Sequence, residues 1–113
     1  MNELRKFESG ATRSRDADSE RYDLFPAEAL QRMARIMADG AEVHGDNNWK
    51  KGIPIEVCLN HLERHLVLWK MGDRAEDHLA KIGVNAAFIM YYEKQEKRKS
   101  PGKADPSIPQ WEA

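Results

Sequence analysis

Two long segments of the chain are apolar around too much of their circumference to be ordinary surface helices, and this feature constrains the fold most. In the segment 53–71 one helical face is apolar, yet Val57 and Leu68 lie well away from it. That face comprises Ile55, Cys58, Leu59, Leu62, Leu66 and Trp69. From Leu79 to Tyr92 the second segment is apolar almost all round. Because such helices must be buried, the sequence predicts an all-α bundle completed by homo-oligomerisation, as a homodimer or homotetramer.

Helix-breaking and capping residues divide the chain into three main helices. The predicted helices are 27–39, 53–71 and 74–97. Pro26 fits the first turn of the first helix, and Gly40 is a natural stop for it. Gly72 ends the second helix. Asp73, three residues before Glu76, is the predicted N-cap of the third.

Both ends of the chain differ in composition from the helical part. Residues 1–25 are polar with few apolar anchors, which predicts an irregular arm. Residues 97–113 hold three prolines and a glycine and cannot continue a helix. At 113 residues the chain suits one compact domain, predicted over 1–96, with 97–113 as a flexible tail. Between the first two helices, the glycine-rich loop 40–52 contains Trp49, which predicts an ordered loop.

Charge and cysteine content exclude several classes of protein. Eighteen basic and nineteen acidic residues leave no bulk basic field, and no helix has a basic face, so direct nucleic-acid binding is not expected. A single cysteine, Cys58, excludes a disulfide scaffold and a multi-cysteine zinc module. No apolar run suits a signal peptide or a membrane span. These features predict a soluble cytoplasmic protein that does not interact with membranes.

A short polar stripe interrupts the apolar third helix. It comprises Asp77, His78, Lys81 and Asn85. Buried ionisable groups are costly unless they are paired or bound to a metal. One interpretation is therefore a network of internal salt bridges and hydrogen bonds. The other is a ligand site with carboxylates for a hard divalent ion and a lysine for phosphate, in which Glu56 and Glu63 of the second helix are the natural partners of Asp77.

The histidines of the second helix do not form a zinc-protease motif. Glu63 follows His61 by two residues, which places it about 200° away around the helix. It could not act as a base for a metal held by His61 and His65, so a structural role for these histidines is favoured over zinc. A lone Cys58 gives an equally weak signal for a nucleophile.

The N-terminal arm carries a second group of candidate residues. Arg13, Arg15 and Arg21 surround Gly10, which lets the backbone approach an anion. Arginine binds phosphate through two parallel hydrogen bonds. The alternative is that these arginines are simply solvated.

Several motifs together resemble a known family. They are Phe7-Glu8-Ser9-Gly10-Ala11-x-Arg13, Arg21-Tyr22-Asp23-Leu24, Gly40-Ala41, His44-Gly45-Asp46-x-Asn48-Trp49-x-x-Gly52, Arg64-His65, Gly72, Glu76-Asp77-His78-Leu79 and Asn85. In this order they resemble the dATP/dGTP diphosphohydrolase N-terminal-domain family of phages and bacteria, which is similar to the MazG-like all-α nucleotide pyrophosphohydrolases. The resemblance extends from Phe7 to about Glu93.

The resemblance implies hydrolysis of a purine (deoxy)nucleoside triphosphate, such as dGTP, GTP or dATP, to the monophosphate and pyrophosphate. It also implies Mg²⁺ or Mn²⁺ held by helix carboxylates. In phages with modified purine DNA, such an enzyme would supply dGMP, which places it in an infected or bacterial cell.

We combine the polar stripe with this resemblance to assign roles. Glu63 and Asp77 are the predicted catalytic residues and metal ligands, with Glu56 or Glu76 as further ligands. The predicted phosphate-binding residues are Arg13, Arg64 and Lys81, and the predicted base and sugar contacts are Asn48, Trp49 and Asn85.

The acidic residues depart from the pattern of the MazG-like enzymes. Those enzymes carry E-x-x-E on one helix and E-x-x-D on the next. Here Glu56 and Glu63 are seven residues apart, and Glu76-Asp77 is followed by Lys81. This departure favours an alternative function, a non-catalytic nucleotide-binding or helical protein-interaction module.

Overall fold

The computed structural model describes residues 4–14 and 20–99 of the chain. The chain divides into two compact units, Met1–Leu30 and Gln31–Ala113, which are described separately. Three α-helices dominate, so the predicted all-α class is confirmed. In the described ranges no helix has the length and hydropathy to span a bilayer.

The first unit contains a β-hairpin where the sequence predicted an irregular arm. Strands β1 (Leu4–Lys6) and β2 (Thr12–Ser14) pair antiparallel, with Lys6 opposite Thr12. The N–H of Phe7 also donates to the Ala11 carbonyl at 2.8 Å, and Gly10, at φ 92°, supplies the left-handed residue of the three-residue loop between them. The irregular-arm prediction is therefore wrong for these residues, while 1–3 and 15–19 lie outside the described part. A 3₁₀ turn at Tyr22–Leu24 then leads to α1, Ala27–His44.

The second unit is built mainly on the antiparallel pair α2 (Ile55–Lys70) and α3 (His78–Lys99). The buried side chains of this pair are Cys58 and His65 of α2 and His78, Ala80, Val84 and Tyr92 of α3. Several large apolar residues of the two helices stay exposed in the single chain, among them Val67, Trp69 and Met90. Homo-oligomerisation, which would cover them, stays a prediction.

The connection between α2 and α3 brings these helices side by side. Asp73 N–H donates to the Leu68 carbonyl and Gly72 N–H donates to the Trp69 carbonyl, each at 3.0 Å. With Gly72 at φ 92°, this pattern is a Schellman C-cap, which confirms the predicted stop of α2. Gly40 does not stop α1, because the helix continues to His44 and Gly45, at φ 89°, follows its last residue.

The N-cap of α3 is Asp77 and not Asp73, so that prediction is wrong. Oδ1 of Asp77 accepts the N–H of Ala80 at 3.2 Å, the third residue of the helix. Asp73 instead accepts the N–H of Ala75 at 2.9 Å. Such an Asx turn competes with helix formation. Residues 74–77 therefore precede α3 rather than forming its first turn.

The loop after α1 is ordered, as predicted, and Trp49 anchors it. The loop includes a 3₁₀ turn, Asn48–Lys51. The Trp49 ring stacks on Phe88 with ring centroids 5.4 Å apart and meets the edge of Tyr91 at 5.0 Å. The hydroxyl of Tyr92 donates to the Trp49 carbonyl at 2.5 Å. These contacts fix the loop against the middle of α3.

Candidate functional site

A groove of about 850 Å³ opens in the second unit between the C-terminal half of α1, the Trp49 loop, α2 and α3. This volume falls within the range of small-molecule sites in proteins, about 300–1,000 Å³. Apolar side chains such as Met37, Val84 and Phe88 form part of its wall. Its polar lining includes Asn48, His61, His65, Lys81 and Asn85. The groove therefore combines an apolar wall with a few polar groups, as small-molecule sites commonly do.

Helix α3 supplies the cation of the groove. Lys81 and Asn85 lie one turn apart, and the Asn85 side-chain amide donates to the Lys81 carbonyl at 2.8 Å. The Lys81 ammonium donates to Oε1 of Glu76 at 2.6 Å. This contact is the main cause that holds the pKa of Glu76 below its usual value. Glu76 is therefore an anion at neutral pH and fixes the Lys81 side chain at the groove.

A cluster of three metal-ligating side chains lies beside Lys81. One ligand atom from each of His65, Glu76 and His78 lies within 4.8 Å of the others. His65 is 7% exposed and His78 is 1% exposed, while Glu76 is half-buried. In the described ranges this is the only group of three or more histidine, cysteine or acidic residues so close together. The chain thus contains a possible His/Glu/His metal-binding cluster.

Hydrogen bonds set the tautomers of the two buried histidines. Oδ2 of Asp73 accepts a hydrogen bond from Nε2 of His78 at 3.0 Å, since an ionised carboxylate can only accept. When His78 is neutral, its Nδ1 has a lone pair and accepts a hydrogen bond from Nδ1–H of His65 at 2.9 Å. Burial, the largest cause, lowers the pKa of His65 and favours its neutral form. The chain Asp73–His78–His65 is therefore hydrogen-bonded throughout.

Asp77 has structural partners on both of its carboxylate oxygens. Arg32 of α1 donates to it from Nε at 2.8 Å and from Nη2 at 2.5 Å. The hydrogen bonds from Arg32 are the main reason why the pKa of Asp77 lies below its ordinary value. The same carboxylate caps α3. A metal ion at Asp77 would have to compete with the Arg32 guanidinium.

The structure brings together some of the residues predicted for the site and separates others. Trp49 also lines the groove, so all three predicted base and sugar contacts and Lys81 lie along it. Of the four predicted carboxylate ligands, only Glu76 belongs to the donor cluster. Glu56 and Glu63 are exposed on α2, as is Arg64. Arg13 lies on β2 of the first unit, opposite Arg5. The roles assigned to all these residues stay predictions.

The sequence reasoning missed the pairing of His65 with His78. It compared His65 with His61 on the same helix and assigned His78 to a polar stripe. The available signal was the tight turn at Gly72, because His65 and His78 lie seven and six residues on either side of it. In an antiparallel helix pair, residues at similar distances from the turn lie near the same end of the pair. A turn recognised at Gly72 would therefore have placed the two histidines at the same end, without fixing their contact.

The only cysteine does not suit nucleophilic chemistry. Cys58 is 2% exposed, and burial raises the pKa of its thiol. The thiolate form required for attack is therefore disfavoured. This agrees with the weak signal that the sequence gave for a cysteine nucleophile.

Comparison with known proteins matches the chain to one family model. The model is described as "dATP/dGTP diphosphohydrolase, N-terminal", and it matches residues 9–101. No curated protein and no solved structure matched the chain.

Proposed function

Because the chain belongs to the dATP/dGTP diphosphohydrolase N-terminal family, we propose that its groove binds and hydrolyses a purine (deoxy)nucleoside triphosphate. The products are the nucleoside monophosphate and pyrophosphate. The family model describes an N-terminal domain, and we propose that this domain carries the activity. dGTP, dATP and GTP are the proposed substrates.

One observation supports this proposal most strongly: a single groove joins an aromatic and amide-lined region to the Lys81 ammonium. Asn48, Trp49 and Asn85 can contact the base and sugar, the tryptophan by stacking. Lys81 can bind the phosphates, and Glu76, its ion-pair partner, can ligate a divalent cation. These are the groups that a nucleoside triphosphate with its metal ion requires.

The proposed reaction breaks the α–β phosphoanhydride bond. A water oxygen forms a new bond to one of the two bridged phosphorus atoms and releases its proton to the solvent. The bond from that phosphorus to the bridging oxygen breaks, and the monophosphate and pyrophosphate separate. Charge on the phosphates is the main obstacle, so catalysis depends on cations that offset it. Lys81 supplies one such charge from the protein itself.

The family resemblance implies Mg²⁺ or Mn²⁺, and the donor set of the chain fits a divalent cation. The cluster offers an anionic carboxylate on Glu76 and two buried imidazoles. Such an ion neutralises phosphate charge and makes water a better nucleophile. We propose Glu76 as one ligand. Asp77 would join it only by giving up its contacts with Arg32.

Replacing Lys81 with methionine is expected to raise the KM for dGTP by about tenfold to a hundredfold, because a charge-assisted hydrogen bond is worth about 1.5–3 kcal/mol. Methionine keeps the length of the apolar stem. Initial rates of pyrophosphate release against dGTP concentration give the KM. Lys94→Met, at an exposed position on the same helix, is the control. A normal KM in Lys81→Met would contradict the phosphate-binding role of Lys81.

A further inference from the structure

We infer that His65, Glu76 and His78 form a binding site for a transition-metal dication, with Asp73 as its supporting carboxylate. The inference rests on the proposed function only for the role of the ion beside the triphosphate. Metal binding by these four side chains does not depend on hydrolysis. The inferred ligands are two histidines and one glutamate, and not the helix carboxylates alone that the sequence predicted.

The positions of the donor atoms suit a single small ion. The two Nδ1 atoms lie 2.9 Å apart. A tetrahedral Zn²⁺ bound to both at about 2.0–2.1 Å would hold them about 3.3 Å apart. Metal binding would replace the hydrogen bond between the rings, and the proton on Nδ1 of His65 would move to Nε2 so that both Nδ1 atoms offer a lone pair. All three ligand atoms already lie within 4.8 Å of one another.

Asp73 is placed as a supporting group for a metal ligand. Histidines that bind metals almost always donate their second ring N–H to a carboxylate or a carbonyl. His78 donates Nε2–H to Asp73, which orients the lone pair of Nδ1 toward His65. Oδ1 of Asp73 also accepts the N–H of Ala75 at 2.9 Å, so this carboxylate is fixed by the turn before α3.

The ligand types indicate which ions the cluster would prefer. Imidazole nitrogen suits Zn²⁺ and the other divalent transition metals, of which Mn²⁺ binds most weakly, whereas Mg²⁺ prefers oxygen ligands and several waters. Two of the three donors are imidazoles. Among the ions that act in phosphoryl chemistry, the cluster is therefore expected to favour Mn²⁺ over Mg²⁺.

His65 of the cluster lines the groove together with Lys81, whereas Glu76 and His78 line a second, smaller pocket. The hydrogen bond from Lys81 to Glu76 links the groove to the cluster. Three protein ligands leave at least one coordination position open, as in catalytic metal sites. A phosphate oxygen or a water could occupy that position. A histidine pair with only a structural role would need neither a nearby Glu76 nor a position open to the groove.

The test is Co²⁺ binding to the tag-free full chain without nucleotide, followed by visible absorption spectroscopy. We expect one Co²⁺ per chain, with absorption typical of imidazole coordination, displaced by Mn²⁺ or Zn²⁺ at lower concentration than by Mg²⁺. Glu76→Gln and His65→Gln should each weaken binding by about tenfold or more. The matched controls are Glu93→Gln and Glu96→Gln, which lie at exposed positions on α3.

Two results would overturn the inference. One is the absence of bound Co²⁺ in a chain that circular dichroism shows to be folded. The other is equal weakening in the controls and the cluster variants, which would indicate adventitious binding. Hydrolysis is not part of this readout, so the two proposals can fail separately: a chain that binds Co²⁺ through the cluster but releases no pyrophosphate refutes only the proposed function.

Discussion

Replacing Glu76 with glutamine is expected to lower the kcat for dGTP hydrolysis by about a hundredfold or more, because a metal ion contributes several kcal/mol to transition-state stabilisation. Glutamine keeps the shape of the side chain and removes the charge. It also ends the ion pair with Lys81. The measurement is pyrophosphate release at saturating dGTP and Mn²⁺, with circular dichroism to show that the variant folds.

Two further variants make this result specific. Glu93→Gln removes an exposed carboxylate from α3 and should leave kcat unchanged. Glu63→Gln separates the two ligand sets. It should lose as much activity as Glu76→Gln if the carboxylates predicted from the sequence hold the ion, and little if the histidine cluster does. A Glu76→Gln variant with normal kcat would contradict both ligand sets that include Glu76.

Replacing Asp77 with alanine is expected to produce the largest loss of stability, because it removes the N-cap of α3 and the partner of Arg32 together. Loss of an N-cap costs about 1 kcal/mol and up to about 2. In a domain of this size each kcal/mol lowers Tm by about 4–8 °C. Asp77→Asn keeps the capping oxygen and should lose less. Thermal unfolding followed by circular dichroism measures the difference.

Arg32→Ala separates the ion pair from the cap, since it removes only the ion pair. The double variant Arg32→Ala/Asp77→Ala then gives the coupling between the two groups. Asp39→Ala, at an exposed position of α1, is the control for an aspartate substitution. Equal Tm values for Asp77→Asn and Asp77→Ala would contradict the capping role. Loss of hydrolysis in a folded Asp77→Asn would instead support the metal role predicted from the sequence.

The helices were predictable because their signals are local. The apolar periodicity of α2 and α3 and the glycine at position 72 can be recognised without tertiary information, and the structure confirms both. The start of α3 was not predictable in this way. Asp73 and Asp77 are equally good N-cap residues, and the Asx turn of Asp73 and the pairing of Asp77 with Arg32, 45 residues away, decide between them.

The sequence was enough to predict which residues line the candidate site, but not which of them lie in contact. Asn48, Trp49, Lys81 and Asn85 were identified from a loop and a helix stripe, and they line one groove. The donor cluster depends on the packing of α2 against α3, which brings His65 to His78 across the turn. Spacing within one helix carries no information about that contact. The β1–β2 hairpin was missed because its short strands are exposed and lack an apolar face.

The most direct test of the account is chromatographic analysis of products from dGTP and dATP incubated with the purified chain, with and without Mn²⁺ or Mg²⁺. We expect monophosphate and pyrophosphate in equal amounts, formed only with the divalent ion and lost in Glu76→Gln. A nucleotide-dependent rise in Tm with no product from either nucleotide would contradict this expectation and would identify a nucleotide-binding module instead.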